Sequence, residues 1–532
     1  MRRVRRITLN FALLLLAGIV VVAIRWVAGG NSLPLVFAAE VPQLAGKVAA
    51  PAFPSGLDWI NTGGKPVTLR ELRGKVVLLD FWTYGCINCF HIIPDLKKLE
   101  RKYGDSLVII GVHSAKFATE GKTAHIEAIV QRYGLTHPVV NDRNMQIWNE
   151  YGAEGWPTLT VIDPAGKVVG QVSGEGHYAL LDKVIGSLVT EFSARGELNR
   201  NPLWFNNTKL QMPQTTLLYP GKVLADAAHD RLFIADSNHN RIVVTDLRGT
   251  VEAVIGNGKP GLQDGDFGHA AFRYPQGMTL ADANTLYVAD TDNNAIRKID
   301  LGSKTVTTVA GTGEQQYMTG LSYPARGTAL NTPWAVLYHD GLLYIAMAGQ
   351  HQLWTFDPAA NRLRLYAGSG AEGVATGPLG DASFAQSSGL TTDGKYLYVA
   401  DPEASAVRQV GFGKDAEVKN LVGTGLFDFG DVNGIGDGVR LQHDLGIVWH
   451  AGRLYIADTY NSKIKVLDPA TRRVTTLAGG QGEFDEPGGL SVAGDTLYVA
   501  DTNHNRIALV NVKTGTVNSL TLRDPHKLLG VN

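Results

Sequence analysis

The chain contains two cysteines, Cys86 and Cys89, three residues apart in the segment YGCINCFHIIPDL. Two thiols at this spacing can form a redox-active pair, half of a metal site or a structural disulfide. A disulfide that closes so short a loop contributes little stability. A zinc ion needs two further ligands, and the sequence has no second C-x-x-C and no close histidine pair. The spacing therefore favours redox chemistry, and no metal or other cofactor is expected.

A strand and a helix are predicted on either side of this pair. The apolar run KVVLLDFW at 75–82 predicts a strand buried on both faces. After Cys86, apolar side chains recur at helical spacing through Leu99. Two further strands and two further helices are predicted at 106–113, 157–163, 123–134 and 178–192. The alternation predicts an α/β fold around a central sheet.

Residues 53–193 resemble the thioredoxin family. Asp80 lies six residues before Cys86, and Pro94 lies five after Cys89. The segment YGAEGWPTLTVIDPAGKVV is similar to the family segment that carries a cis-proline, here Pro157. The resemblance implies a thioredoxin-like domain whose catalytic residues are Cys86, Cys89, Asp80 and Pro157. The chain departs from the family at Gly85, where thioredoxins usually have Trp, and at 87–88, which read Ile-Asn rather than Gly-Pro.

Each of these residues has an expected role. Cys86, at a helix N-terminus, should favour the thiolate and act as nucleophile, and Cys89 should resolve the mixed disulfide. Asp80 should have a raised pKa and exchange a proton with Cys89. Pro157, if cis, should place backbone beside the thiols for a substrate strand. Two alternatives stay open at this point: Asp80 could pair with Lys75, and His91 could tune the thiolate or lie partly exposed on the helix.

A different pattern occupies residues 216–522, where six copies of a segment such as LYVADTDNNAIRKID recur. The copies begin at Leu232, Leu286, Leu343, Leu397, Leu454 and Leu497. Each copy predicts four strands, so the six copies together predict an all-β, six-bladed propeller. The sequence of the copies resembles the NHL repeat. The Asp and Asn residues are predicted to form turns rather than bind ligands. Copies three and four depart from this repeat pattern at 347–349 and 402–404. The loss of turn residues on these neighbouring blades could mark a contact surface or reflect sequence drift.

The order of domains resembles a family in which a thioredoxin-like domain precedes an NHL propeller. Linkers are predicted at 31–52 and 194–215, and a tail at 523–532. The second linker carries Trp204 and Phe205, an apolar content unusual for a flexible tether. We expect both aromatic side chains to be buried against the propeller or between the domains.

Residues 1–30 begin with MRRVRR, which contains four arginines, followed by 18 uncharged residues, ITLNFALLLLAGIVVVAI. This pattern predicts a cytoplasmic basic stub and a single transmembrane helix with the N-terminus inside. The alternative is a signal peptide cleaved near VFAAE, which would give a secreted protein. Either places both domains outside the cytoplasm, in the periplasm, where the cysteines meet an oxidising compartment.

The charge balance and the motifs together limit the function. With 49 basic and 50 acidic residues and no concentrated basic face, nucleic acid is not expected as a partner. The sequence predicts a membrane-tethered, extracytoplasmic thiol–disulfide oxidoreductase that acts on protein thiols or disulfides, with an unknown redox partner and a propeller that binds proteins. The alternative is a scaffold protein whose thioredoxin-like fold is not catalytic. A propeller lyase with a central metal has little support, since no His/Asp cluster recurs at the inner strands.

Overall fold

The computed structural model describes residues 44–207, 211–413, 415–480 and 482–530. Two compact units, Met1–Gln211 and Met212–Asn532, make up the chain. The predicted anchor or signal peptide and most of the first predicted linker lie outside the described residues. Within the residues that are described, no helix is long and apolar enough to cross a membrane.

The first unit is an α/β domain built on a seven-stranded sheet in the order β1-β7-β6-β3-β4-β5-β2. Strands β3, β4 and β5 run parallel, and the other neighbouring pairs are antiparallel. The strands are β1 Val48–Ala49, β2 Trp59–Ile60, β3 Val76–Trp82, β4 Leu107–His113, β5 Val139–Asn141, β6 Thr158–Ile162 and β7 Lys167–Ser173. The helices are α1 Ile87–His91, α2 Ile93–Tyr103, α3 Thr123–Arg132, α4 Gln146–Tyr151 and α5 Tyr178–Ala194.

Strand β3 lies in the middle of this sheet, and every residue in it is buried. Because strand side chains alternate between faces, Val77, Leu79 and Phe81 pack in one core cluster, whereas Val76 and Leu78 pack in the other. The second cluster also contains apolar residues of α2 and α5. A continuously apolar strand with a core on each face is the arrangement that its sequence predicts.

The predicted helix after Cys86 is interrupted at Ile92, between α1 and α2. Pro94 lies in the first turn of α2. Proline has no backbone N–H to continue the hydrogen bonds of the preceding turn, but it fits the start of a helix. The break leaves α1 as a short helix that directly follows the nucleophile position.

Part of the predicted second linker belongs to the first unit. Phe205 is buried, at 5% exposure, and packs in the cluster that contains Trp59 and Phe81. Trp204 is 41% exposed, with Lys65 Nζ at 5.8 Å from its ring centroid. The prediction that both aromatic side chains are buried is therefore wrong for Trp204, whereas Phe205 is buried, in a core cluster of the first unit. An aromatic side chain in a polar segment can extend the core of the domain it follows.

The second unit consists of six antiparallel sheets, which are the six predicted blades. Blades one to three contain strands Lys222–Asp226, Arg231–Asp236, Arg241–Thr245 and Val251–Ile255; Gly265–Asp266, Pro275–Leu280, Thr285–Asp290, Ala295–Asp300 and Thr305–Gly311; and Ser322–Pro324, Pro333–His339, Leu342–Met347, Gln352–Asp357 and Arg362–Ala367. Blades four to six contain Gly377–Pro378, Gly389–Thr392, Tyr396–Asp401, Ala406–Gly411 and Glu417–Val422; Gly434–Ile435, Gly446–His450, Arg453–Asp458, Lys463–Asp468 and Arg473–Gly479; and Pro487–Ala493, Thr496–Asp501, Arg506–Asn511 and Val517–Ser519. Four of the sheets gain a short fifth strand at the outer edge.

The last residues of the chain pack on the first blade. Arg523 forms a parallel bridge with Thr250, and Arg241 Nη1 donates to the carbonyl oxygen of Leu529 at 2.9 Å. Leu529 lies in the same core cluster as Leu232. Up to residue 530, the predicted tail is thus part of the propeller and joins its last blade to its first.

The repeated Asp and Asn residues form turns, as predicted. Asp236 Oδ1 accepts from the backbone N–H of Leu218 at 2.6 Å. Asn240, at a φ of 53°, accepts from the N–H of Tyr274, the residue before the next blade's inner strand, at 3.1 Å. These side-chain-to-backbone bonds connect each turn to the segment that enters a blade.

The departures in copies three and four have different structural causes. In blade two, Asp290 pairs with Arg297, both fully buried, at 2.7 Å. Met347 and Trp354 hold the same two positions in blade three and pack together in one apolar cluster. In blade four, 402–404 still form a short turn, and Asp401 keeps its ion pair with Arg408. Blade three has therefore exchanged an ion pair for an apolar pair inside the blade, so Met347 provides no contact surface.

Candidate functional site

Cys86, Cys89 and Pro157 come together at the start of α1. Cys86 is the N-cap residue of this helix, and its Sγ atom accepts a hydrogen bond from the backbone N–H of Cys89 at 3.3 Å. The same Sγ atom lies 3.8 Å from the carbonyl oxygen of Trp156, and the Trp156–Pro157 peptide bond is cis. Both cysteines are free thiols.

The two cysteines differ in their environment. Burial raises the pKa of Cys89 well above its usual value, and its hydrogen bond with Cys86 and the neighbouring acidic groups raise it further. Cys89 is therefore a thiol at neutral pH. To act as a thiolate it must pass its proton to a nearby base.

Asp80 lies on β3 and is suited to receive that proton. Burial raises the pKa of this carboxyl group from 3.8 to about 7, and the charge of His137 partly opposes the rise. The Oδ1 atom of Asp80 has no hydrogen-bond partner among the described residues. The proposed pairing with Lys75 does not occur, because Lys75 Nζ donates to the carbonyl oxygens of Asp105 and Asn201 at 2.5 and 2.6 Å.

One charged residue beside the nucleophile was not predicted from the sequence. Glu120, in the short 3-10 turn Ala118–Gly121 between β4 and α3, is fully buried. Its Oε1 atom accepts from the backbone N–H of Gly85 at 2.8 Å, and its Oε2 atom accepts from the hydroxyl of Thr83 at 2.6 Å. The carboxylate thus holds the segment that directly precedes Cys86.

Aromatic and imidazole rings line the same end of the sheet. His113, at the end of β4, lies 4.9 Å from the ring of Trp82 and 5.4 Å from that of Tyr84. Burial lowers the pKa of His113 to about 3, so the ring is neutral. His91 Nδ1 contacts Glu175 Oε2 at 2.7 Å, and its side chain is 8% exposed. The contact with Glu175 therefore holds His91 in a mostly buried position. From the sequence, His91 was expected either to tune the thiolate or to lie partly exposed on the helix.

No group of three or more His, Cys, Asp or Glu side chains that could hold a metal ion occurs in the described part of the chain. The chemistry available at the start of α1 is that of two thiols, one carboxyl group with a pKa near neutrality and an adjacent backbone carbonyl. This set is suited to thiol–disulfide exchange.

Comparison with known proteins supports the two-part architecture. A thioredoxin-like family model matches residues 74–168, and an NHL repeat model matches 272–299. NHL repeat-containing protein 2 of Bos taurus is 42% identical over 516 residues, which cover 88% of this chain and 70% of that protein. The chain belongs to the NHL repeat-containing protein 2 family. Membership confirms the predicted order of a thioredoxin-like domain followed by an NHL propeller.

Two further relatives share parts of this architecture. The chloroplastic Protein SUPPRESSOR OF QUENCHING 1 of Arabidopsis thaliana is 42% identical over 514 residues, 90% of this chain and 48% of that protein. The thiol-disulfide oxidoreductase ResA of Bacillus anthracis is 35% identical over 112 residues, 21% of this chain and 62% of that protein. Part of this chain is thus similar to a protein named as a thiol-disulfide oxidoreductase.

Proposed function

We propose that this protein is a thiol–disulfide oxidoreductase whose nucleophile is Cys86 and whose resolving thiol is Cys89. One observation carries the proposal: Cys86 caps a helix and accepts the N–H of Cys89 at 3.3 Å. A donor aimed at sulfur and a helix N-terminus both favour the thiolate. The similarity of the domain to ResA supports the same reaction class.

The reaction proceeds in two exchanges. The Cys86 thiolate attacks one sulfur of a partner disulfide, that S–S bond breaks, and the departing partner sulfur takes up a proton. Cys89 then transfers its proton to Asp80 and attacks the sulfur of Cys86, which releases the second partner thiol. The partner gains two electrons, and the Cys86–Cys89 pair becomes a disulfide. A dithiol protein must reduce this disulfide before the next cycle, and the reverse direction oxidises a partner.

The other parts of the chain have roles in this proposal. The propeller binds the protein that carries the reacting thiols or disulfide. The N-terminal segment holds the enzyme at the cell membrane as a single-pass anchor, with both domains on the periplasmic side, or is removed as a signal peptide. The four arginines and the uncharged run that follows them support this placement.

Disulfide exchange of the purified protein tests the proposal. The reduced protein is mixed with a fluorescent peptide disulfide, and the release of peptide thiol is followed over time. We expect two electrons per protein from the wild type and no release from Cys86→Ser. Equal rates in the wild type and this variant would contradict the proposal and favour a scaffold in which the thioredoxin-like fold is not catalytic.

A further inference from the structure

We propose that Trp156 is a positioning residue for disulfide exchange, and that its indole ring fixes a carbonyl group beside which Cys86 and a partner strand align. This inference rests on the proposed function and deepens it. The carbonyl oxygen of Trp156 lies 3.8 Å from the Sγ atom of Cys86. The sequence indicated a role for the neighbouring Pro157 but none for the side chain of Trp156.

The backbone around Trp156 is irregular. Trp156 lies between α4, which ends at Tyr151, and β6, which begins at Thr158. It precedes the residues of β6 that pair with β3 and β7, and this pairing begins at Thr158. The carbonyl group of Trp156 therefore depends on contacts outside the sheet for its position.

Two contacts hold the indole ring of Trp156. Its Nε1–H donates to the carbonyl oxygen of Ser114 at 2.9 Å, and its ring centroid lies 4.7 Å from that of Trp148. The ring also packs against the core cluster that contains Trp59 and Phe81. An aromatic side chain that is packed on its faces and hydrogen-bonded at its far end has few other orientations. The backbone that carries it is therefore held as well.

Asp142 connects the two residues that contact this ring. It is fully buried directly after β5, and its Oδ2 atom accepts from Ser114 Oγ at 3.1 Å and from the backbone N–H of Trp148 at 2.9 Å. Its Oδ1 atom accepts from the N–H of Ile147 at 3.1 Å. One carboxyl group thus fixes both the hydrogen-bond acceptor and the ring partner of Trp156.

These contacts form a continuous path from Asp142 to the nucleophile. In the dithiol form, the S–H group of Cys86 donates to the carbonyl oxygen of Trp156. Once Cys86 has lost this proton, the same oxygen can accept from a backbone N–H of a partner strand. A partner held there has its disulfide next to the sulfur, and correct orientation of reacting atoms accelerates exchange. Displacement of this carbonyl group should therefore slow exchange with a partner and leave the reaction with a small reagent almost unchanged.

The variant Trp156→Phe keeps an aromatic ring but removes the hydrogen bond to Ser114. Tyr151→Phe is the matched control, because Tyr151 Oη donates to the carbonyl oxygen of Pro51 at 2.8 Å and its side chain packs against the same core cluster. Each change removes one aromatic donor from one backbone carbonyl group. Only Trp156→Phe affects the contact with Ser114.

Two reactions of the reduced full chain separate positioning from general reactivity. Release of thiol from the fluorescent peptide disulfide requires a bound partner, whereas alkylation of Cys86 by iodoacetamide, measured with Cys89→Ala, does not. In Trp156→Phe we expect exchange to be at least about fivefold slower and alkylation to stay within about twofold of the wild-type rate. In Tyr151→Phe we expect both rates to be unchanged. An exchange rate in Trp156→Phe equal to that in Tyr151→Phe, or an equal fall in both reactions, would overturn the proposal.

The variant Ser114→Ala tests the connection to Asp142 and covers the case in which Trp156→Phe does not fold. It removes the hydroxyl bond to Asp142 but keeps the carbonyl oxygen that accepts from Trp156. We expect exchange to be about threefold slower, with alkylation unchanged. Because Ser114 acts through Trp156, adding Ser114→Ala to Trp156→Phe should slow exchange no further. A wild-type exchange rate in Ser114→Ala, or a full multiplication of the two effects, would overturn this connection.

Hydrogen exchange of residues 152–158, followed by mass spectrometry, measures the anchoring without any partner. We expect this segment to exchange faster in Trp156→Phe than in the wild type or in Tyr151→Phe. An unchanged rate in Trp156→Phe would overturn the proposal even if the wild type were inactive. Faster hydrogen exchange in this variant, together with a wild type whose Cys86 is alkylated but which releases no peptide thiol, would contradict the proposed function alone.

Discussion

The backbone N–H of Cys89 donates a hydrogen bond to the Sγ atom of Cys86 at 3.3 Å. Each cysteine therefore affects the other without a covalent bond. The amide of Cys89 donates to the sulfur of Cys86, and a separate side-chain hydrogen bond with Cys86 adds to burial in raising the pKa of the Cys89 thiol. The backbone donor stays in place when the side chain of Cys89 is changed. The contributions of the two residues can therefore be separated by substitution.

The variant Cys89→Ser is expected to accumulate a mixed disulfide between Cys86 and a partner. The serine keeps the amide that stabilises the Cys86 thiolate, but it provides no thiol to release the bound partner. Mass spectrometry of the alkylated protein under non-reducing conditions should show the adduct on Cys86. Cys86→Ser is the control and should form none. Comparable adducts in both variants would show that Cys86 is not the preferred nucleophile.

The variant Asp80→Asn is expected to slow the second exchange step. Without a carboxyl group whose pKa lies near 7, the buried Cys89 thiol loses its proton acceptor, whereas attack by Cys86 is little affected. Single-turnover kinetics should show a mixed disulfide that forms at the wild-type rate and decays at least about tenfold more slowly. Asp95→Asn, at an ion pair with Lys98 on α2, is the control. Equal decay rates in the two variants would contradict a proton transfer through Asp80.

The same variant should change how stability depends on pH. The folded-state pKa of Asp80 is raised from 3.8 to about 7, so the folded state binds more protons than the unfolded state between these values. Stability from this group is present at low pH and is lost as the pH rises toward 7. Asp80→Asn should therefore increase the free energy of unfolding above pH 7 by about 1–4 kcal/mol and change it little near pH 4. Chemical denaturation at pH 4.5 and 8 measures the difference, and a larger gain at the lower pH would contradict the raised pKa.

The apolar pair of blade three, Met347 and Trp354, should be replaceable by an Asp–Arg ion pair like that of blade two only when both residues are changed together. Met347→Asp alone, or Trp354→Arg alone, buries a charge without its partner and should destabilise the protein by about 3–5 kcal/mol. The double variant recreates the spacing of Asp290 and Arg297 and should recover most of that loss. Calorimetry of the four proteins gives the coupling energy. Additive losses would show that the two positions of blade three do not interact.

The sequence was informative where a pattern is local or repeated. The apolar run of β3 and the six copies of the repeat both predict structures that are present, since each depends on periodicity or on neighbours in the chain. The coordinated change at Met347 and Trp354 could also have been found by aligning the six copies, because both residues differ from their repeat positions.

Contacts between segments distant in sequence were not predictable in the same way. Glu120 reaches Gly85 from 35 residues away, and it lies in an irregular segment without any periodic pattern. Phe205 follows a polar stretch, and its sequence does not indicate which core it joins. Both contacts depend on how the whole domain packs. A single sequence without an internal repeat has no pattern from which that packing can be predicted.

The variant Asp444→Ser is expected to stabilise the propeller, and more so at pH 8 than at pH 5. Asp444 lies two residues before the inner strand of blade five. In the aligned copies of the repeat, blade four has Ser387 at this position and the other four blades have proline, at 220, 275, 333 and 487. It is fully buried, neither carboxyl oxygen has a partner among the described residues, and burial and then the charge of Asp458 raise its pKa well above 3.8. A raised folded-state pKa means that stability is lost as the pH rises, so removal of the carboxyl group should add about 1–3 kcal/mol at alkaline pH.

Ser387→Asp is the reverse control, because Ser387 donates to Asp401 at 2.8 Å and a carboxylate there would face another, which should destabilise blade four. Thermal unfolding of both variants at the two pH values tests this, and a loss of stability in Asp444→Ser would show that the buried carboxyl group has a partner that contributes to the fold.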